Sequence, residues 1–387
     1  MYKLGDICDV SSGGTPRRSE RAFWDGGTIP WVKISDMTGK YVEVTEEFIT
    51  DEGLAHSPAK LIQPGAVLYS IFASIGATGI LTIPAATNQA IAAVRPKDRR
   101  LSTDYLYHWL RAQENAARAS SRGVAQNNIN LSILRAMEMP LPDYDVQEGI
   151  VAGFDAILSR RDSYSDQLVK LDELVKSRFV EMFGDPVTNP MGWPVSTIKE
   201  TALVYGDGPF GSNLKSSDYV PEGVRVIRLG NILQGAFSEK DRSFVSYEKY
   251  ESLKRYECKP GQVVIATLGD PLLRACLVPD FGVPSIHKAD CMYYETDSEK
   301  VLPLFAVSAI NHPTMLERAG VDGHGQTRKR INSTQTGNLP MILPPLTLQQ
   351  EFAAFVRQVD KLKFETQQAI DKLQMLYDSL AQEYFGS

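Results

Sequence analysis

The chain has 387 residues, 43% hydrophobic and 23% charged, with a formal net charge of −6. At about 150 residues per domain that length gives two or three domains, and the composition is that of an ordinary globular protein. The acidic balance argues against a protein that coats nucleic acid through bulk electrostatics, while leaving room for a local basic surface.

Met1–Asp6 leads into strand-like sequence rather than a signal peptide, and no stretch approaches the roughly 20 apolar residues of a membrane span. Residues 1–145 hold short apolar runs (Ile29–Ile34, Ala66–Ile71, Gly79–Ile83, Ala90–Val94) punctuated by Gly, Pro and Asn, which are strand and turn signals. Asp104–Gln113 is the best helix of this block, with Ser102 or Thr103 able to cap it. From Val146 onward, positions 150, 154, 157, 161, 164, 168, 171, 175, 178 and 182 recur in steps of four and three, mostly apolar, which is heptad spacing. A helix from Val146 to Phe183 is about 57 Å long at roughly 1.5 Å per residue, too long to bury its stripe within one small domain. Gly184-Asp185-Pro186 stops it. Residues 185–345 repeat the mixed pattern, and positions 352, 355, 359, 362, 366, 369, 373, 376 and 380 form a second heptad run. This spacing places Ile157, Tyr164, Leu168 and Leu171 in one seam and Val359, Leu362, Leu373 and Leu376 in the other. Cys8, Cys258, Cys276 and Cys291 lie singly, without CxxC spacing, and read as buried reduced thiols of a cytoplasmic protein.

The two halves repeat each other. VKLDELVKSRFVEMFGD (169–185) and DKLQMLYDSLAQEYFGS (371–387) share Lys, Leu, Leu, Ser, Glu, Phe and Gly at a constant shift of 202 residues. Trp31-Val32-Lys33 aligns with Val226-Ile227-Arg228, Pro64-Gly65 with Pro260-Gly261, and the Pro-rich bar at 139–142 with that at 343–346. A period of half the chain is a duplicated domain-plus-helix, not a solenoid. The predicted fold is α+β, with two pseudo-symmetric β-rich domains (1–145 and 185–345). Each is followed by a long helix (146–184 and 346–387), and the helices pair as an antiparallel coiled coil.

The layout of block, Pro bar and long helix, given twice, resembles the specificity subunit of type I restriction–modification systems. The motifs carrying the likeness are GVAQNNINLSILRAMEMPLP, echoed by GHGQ…INSTQTGNLPMILPPL, then Gln147-Glu148 and Gln350-Glu351, Pro64-Gly65 with Asn88-Gln89, and the KLxxLxxSxxxExFG helix end. The resemblance implies two target-recognition domains, each reading one half of a bipartite, asymmetric site in double-stranded DNA. It implies helices that set the spacer, two methyltransferase subunits and restriction/translocase subunits as partners, and no cofactor on this chain. S-adenosylmethionine, ATP and Mg are expected on those partners. The second copy departs from the pattern at Gly269-Asp270-Pro271 and at His287-Lys288, which stand where the first has an Ile-Gly turn and Asn88-Gln89.

No Asn/Asp-Pro-Pro-aromatic methyltransferase motif, P-loop or paired metal-ligand histidines are present, so the sequence shows no catalytic apparatus. Gly206-Asp207-Gly208-Pro209-Phe210-Gly211 fits GxGxxG, but the following SNLKSSDY makes no helix, so Ser212, Asn213 and Lys215 read as loop contacts to DNA. Gln126, Asn127 and Asn128 in the first copy face Gln326, Arg328, Lys329 and Arg330 in the second. Amides suit adenine and guanidinium suits guanine, as two unlike half-sites require, although Gln126 and Gln326 also suit loop-backbone bonding. Arg17, Arg18, Lys33 and Arg228 read as phosphate contacts, with snorkelling surface cations the competing explanation. The rival to DNA readout is a coiled-coil scaffold for protein assembly.

Overall fold

The computed structural model describes residues 1–72, 76–120, 129–209, 213–322 and 329–386. The chain divides into two units, Met1–Ser165 with Gln367–Ser387, and Asp166–Thr366. The division runs through both long helices, Tyr144–Phe183 and Leu346–Phe385, rather than at their ends. Each unit thus contains one β-rich block and a portion of each helix.

In the first unit a five-stranded sheet orders Cys8–Ser12, Ile91–Pro96, Val67–Ser70, Thr78–Leu81 and Tyr41–Val42. A second sheet holds Ile29–Val32 between Glu47–Ile49, antiparallel, and Ala86–Thr87, parallel. In the second unit Ala202–Asp207, Cys291–Thr296, Val263–Ala266 and Arg274–Leu277 repeat the order of the larger sheet. Val224–Ile227 lies between Ser243–Val245, antiparallel, and Ser285–His287, parallel, repeating the smaller one. A two-stranded pairing joins the start of each block to its Pro bar, Tyr2–Lys3 with Glu138–Met139 and Val195–Thr197 with Pro340–Ile342. The duplication read from short motifs therefore extends to strand order and strand direction.

The central strands are almost wholly apolar. Val67–Ser70 and Val263–Ala266 are buried throughout because helices cover one face and the second sheet the other. The first unit's core joins Tyr105 and Trp109 of the helix Thr103–Ser120 to Phe154 and Phe385 of the long helices. The second joins Phe179 and Phe183 to Phe305 and Phe352, with ring centroids 4.9–5.6 Å apart.

Each Pro bar is tied to its block by one buried glutamine. Gln147 Oε1 accepts from Ser102 N (3.0 Å), and its Nε2 donates to Arg100 O (2.7 Å) and Pro142 O (2.8 Å). Gln349 makes the same three bonds with Leu302 N, Lys300 O and Pro344 O, each 2.9 Å long. The partner of Gln147 is thus Gln349, and the Gln350-Glu351 alignment is off by one: Gln350 is exposed, while the amide that can saturate a buried turn sits one residue earlier.

Within the second unit the helices run antiparallel, because Arg178 pairs with Glu351 (2.9 Å) while Asp172 pairs with Lys363. Ile157, Leu171 and Val359 are buried, and Tyr164, Leu168 and Leu373 half-buried. Leu362 and Leu376 are each 47% exposed and do not belong to the seam. The inward positions are the next residues, Lys363 and Tyr377, giving the run 352, 356, 359, 363, 366, 370, 373, 377. Counting apolar residues selects the leucines. The helix instead buries a lysine stem whose head reaches Asp172, and a tyrosine ring.

Candidate nucleic-acid interface

Lys33 and Arg228 occupy matching places, immediately after the central strand of each smaller sheet. Each closes a 3₁₀ turn through its own backbone N–H, Lys33 N to Asp36 Oδ2 (2.7 Å) and Arg228 N to Asn231 Oδ1 (2.9 Å). The turn projects both side chains from the sheet's end, and both meet carboxylates. Lys33 Nζ lies 2.7 Å from Glu46 and 3.0 Å from Glu47, and Arg228 Nη1 lies 2.8 Å from Asp241. Hydrogen bonds donated to Glu46 and Glu47 raise the Lys33 pKa. The Arg18 bond, with Lys33 behind it, holds the Glu47 carboxyl below its ordinary range.

Arg18 pairs with Glu47, and its guanidinium lies 3.8 Å from the Trp24 ring centre and 4.8 Å from that of Trp31. Trp31 is buried and donates to Gly14 O (3.2 Å), which pins the Gly13-Gly14 segment onto the sheet. A Cβ on Gly13 would stand 2.1 Å from Thr87 O, so only glycine permits this approach. Arg17 is exposed, and its carbonyl accepts from Trp24 Nε1 (3.1 Å). Arg17, Arg18 and Lys33 therefore gather at the edge of one small sheet, beside an aromatic pair.

In the second unit Arg228 also faces the Tyr219 ring at 5.8 Å, and Lys288 Nζ donates to Tyr219 Oη (2.9 Å). Lys215 and Asn213 are exposed in the segment leading to Tyr219. Arg330 pairs with Asp290 (2.7 Å). Lys329 lines an open cleft of about 1130 Å³ shared with Leu229 and Gly230, the turn that follows Arg228. The structure thus brings Lys329, from the basic run before the second Pro bar, to the same cleft as the Arg228 turn. Gln126, Asn127, Asn128, Ser212, Gln326 and Arg328 lie outside the described residues.

Gly208 has the close-approach role of Gly13: a Cβ there would stand 2.4 Å from the Lys288 backbone. Of the first two glycines of the GxGxxG match, Gly208 thus serves close packing, whereas a Cβ on Gly206 would meet nothing within 4 Å.

Sequence reading missed Arg225. Its side chain is buried between Phe244 and Phe281, 5.5 Å from each ring, and donates to Asp241 O (2.8 Å). Asn231 Nδ2 donates to the same carbonyl (2.7 Å), so Arg225 and Asn231 together place the carboxylate that meets Arg228. A lone arginine inside an apolar strand, VRVI, was the available signal.

The two units thus carry β-rich blocks of one topology, each with cations beside aromatic rings at the end of its smaller sheet. Residues 1–169 match the family of the type I restriction modification DNA specificity domain. The chain is 29% identical over 182 residues to the EcoR124I/EcoR124II specificity subunit of Escherichia coli, covering 46% of this chain and 45% of that one. It is 22% identical to the MjaIX specificity subunit of Methanocaldococcus jannaschii, over 98% of this chain and 91% of the other. A solved chain from a study of type I R-M complex assembly and conformational transition superposes with a TM-score of 0.59 at 18% identity, covering 99% of this chain and 96% of that one. The chain is similar to type I restriction–modification specificity subunits, and the likeness in fold spans both units.

Proposed function

We propose that this chain is the non-catalytic, sequence-reading subunit of a type I restriction–modification complex. Each block reads one half of a bipartite DNA site, and the long helices set the spacer. Two methyltransferase subunits and the restriction/translocase subunits supply the chemistry, with S-adenosylmethionine, ATP and Mg on those partners. The observation that carries this reading is the matched placement of Lys33 and Arg228 after equivalent strands, in a chain whose relatives bear that name. A scaffold without DNA readout has no need of matched cations at two sheet ends.

The deciding experiment is co-expression with cognate methyltransferase subunits, followed by genome-wide mapping of modified bases. Two short motifs separated by a fixed gap are expected, and one uninterrupted motif would overturn the reading. Arg228→Ala and Lys33→Ala are each expected to weaken binding by roughly 1 kcal/mol, equally on cognate and unrelated duplexes, and to reduce the salt slope by about one. Equilibrium titrations at several salt concentrations measure this, and an unchanged slope removes the residue from the phosphate contacts. Inserting about seven residues in register near Lys170 should lengthen the gap between half-sites. A gap that stays constant in an assembled, active complex counts against the helices as the ruler.

A further inference from the structure

The two units differ where matched frames carry side chains of unequal size. In the first unit the space between the helix Thr103–Ser120 and the long helices is filled. Phe154 stacks on His108, centroids 5.1 Å apart, and lies 4.7 Å from Tyr377. Lys40 reaches in from the sheet and bonds Asp104 (2.6 Å) and Asp155 (2.7 Å).

The equivalences follow from features already described. The glutamine clamp matches Ser102 with Leu302, and in that register Tyr107 and His108 become Val307 and Ser308. The helix repeat turns Phe154 into Val356 and Tyr377 into Val175. The matched 3₁₀ turns, Ile34–Asp36 and Leu229–Asn231, turn Lys40 into Gly235. Each change removes a large side chain. The second unit has a cavity of about 500 Å³ there, lined by Val175, Gly235, Val307, Ser308 and Val356 among others. Asp172, Asp360 and Lys363 also line it, where the two helices meet. Lys363 is committed to Asp172 and lies 3.7 Å from Asp360, a loose pairing that leaves the Asp360 carboxylate able to accept.

We propose that this cavity binds a small aromatic amine. The volume is that of a small-molecule site, and the first unit fills the matching space with aromatic rings and an ammonium; the carboxylates that hold Lys40 match Leu304 and Arg357, but Asp172 and Asp360 line the cavity in their stead. The ring occupies the space left by valine at 307 and 356, and the cationic head faces Asp360. The cavity shares no residue with the proposed DNA-facing set, so the two readings fail separately.

The test uses the full-length chain and 2-phenylethylamine as probe, followed by calorimetry. Saturable one-to-one binding is expected, with phenylacetate weaker by about tenfold, the equivalent of one lost ionic contact. Val307→Tyr fills the cavity and should abolish binding while leaving the thermal midpoint unchanged or higher. Asp360→Asn should keep binding but lose the preference for amine over acid. No saturable binding at millimolar amine overturns the proposal. So does binding that survives Val307→Tyr. If Val307→Tyr does not fold, Asp360→Asn decides alone, and an intact amine preference in it overturns the assignment.

Discussion

Gln349→Ala is expected to destabilise the second unit by about 3–5 kcal/mol. Gln349 is fully buried, and its amide is the common partner of Leu302 N, Lys300 O and Pro344 O. A net hydrogen bond contributes roughly 1 kcal/mol, but a buried donor or acceptor left without a partner costs about 1–3 kcal/mol. Truncation strands three such groups at once, and water entering the vacated volume recovers only part of the loss. Gln349→Glu separates hydrogen bonding from packing, since it keeps the volume and the acceptor but sets a carboxylate against two carbonyl oxygens. It should be at least as damaging as alanine. Denaturant unfolding, with hydrogen exchange at the Leu302 amide, measures both. A loss below about 1 kcal/mol in either variant would show that the clamp is incidental.

The second large effect is an acid lability centred on His287. This imidazole is 3% exposed, and burial pushes its pKa from the ordinary 6.5 down to about 4. Its Nδ1–H donates to Tyr256 O (2.9 Å), with Cys258 Sγ at 3.2 Å, while the buried Nε2 makes no hydrogen bond. The folded state therefore keeps the ring neutral where the unfolded chain would protonate it. Below pH 6.5 the unfolded state binds more protons, so stability falls as pH drops and levels off below about 4. The displacement corresponds to roughly 3 kcal/mol. Comparing unfolding free energies of the native chain and His287→Gln between pH 7 and pH 4 tests it. The variant should be less stable at neutral pH but show a flatter profile over that window. The buried His108 of the first unit, also lowered by burial, leaves a residual slope. Parallel profiles for the two proteins would rule His287 out as the source.

Much of this architecture was legible in the sequence because duplication leaves a signal independent of secondary-structure propensity. The constant shift of the KLxxLxxSxxxExFG ends located both long helices, and the alignment of Lys33 with Arg228 anticipated matching positions, although both stand just past their strands, at the start of a 3₁₀ turn, rather than within them. Four-and-three spacing marked the seam of the first helix closely. In the second it failed at Leu362 and Leu376, because apolar character alone does not say which of two adjacent residues faces inward. The Lys363–Asp172 pair and the Tyr377 ring decide that, and both depend on residues far along the chain. Arg225 was invisible for a related reason: a buried arginine in a strand has meaning only once Phe244, Phe281 and the Asp241 carbonyl stand around it.

Sequence by itself determined that there are two copies of one β-rich block, each delivered to a long amphipathic helix, since repeats and heptads are properties of linear order. Only the tertiary structure decided which carboxylates meet Arg18, Lys33 and Arg228, and that one copy fills with rings the space the other leaves open. Those outcomes depend on packing between segments from 13 to more than 200 residues apart, where side-chain volume and charge are set against partners that no local pattern names.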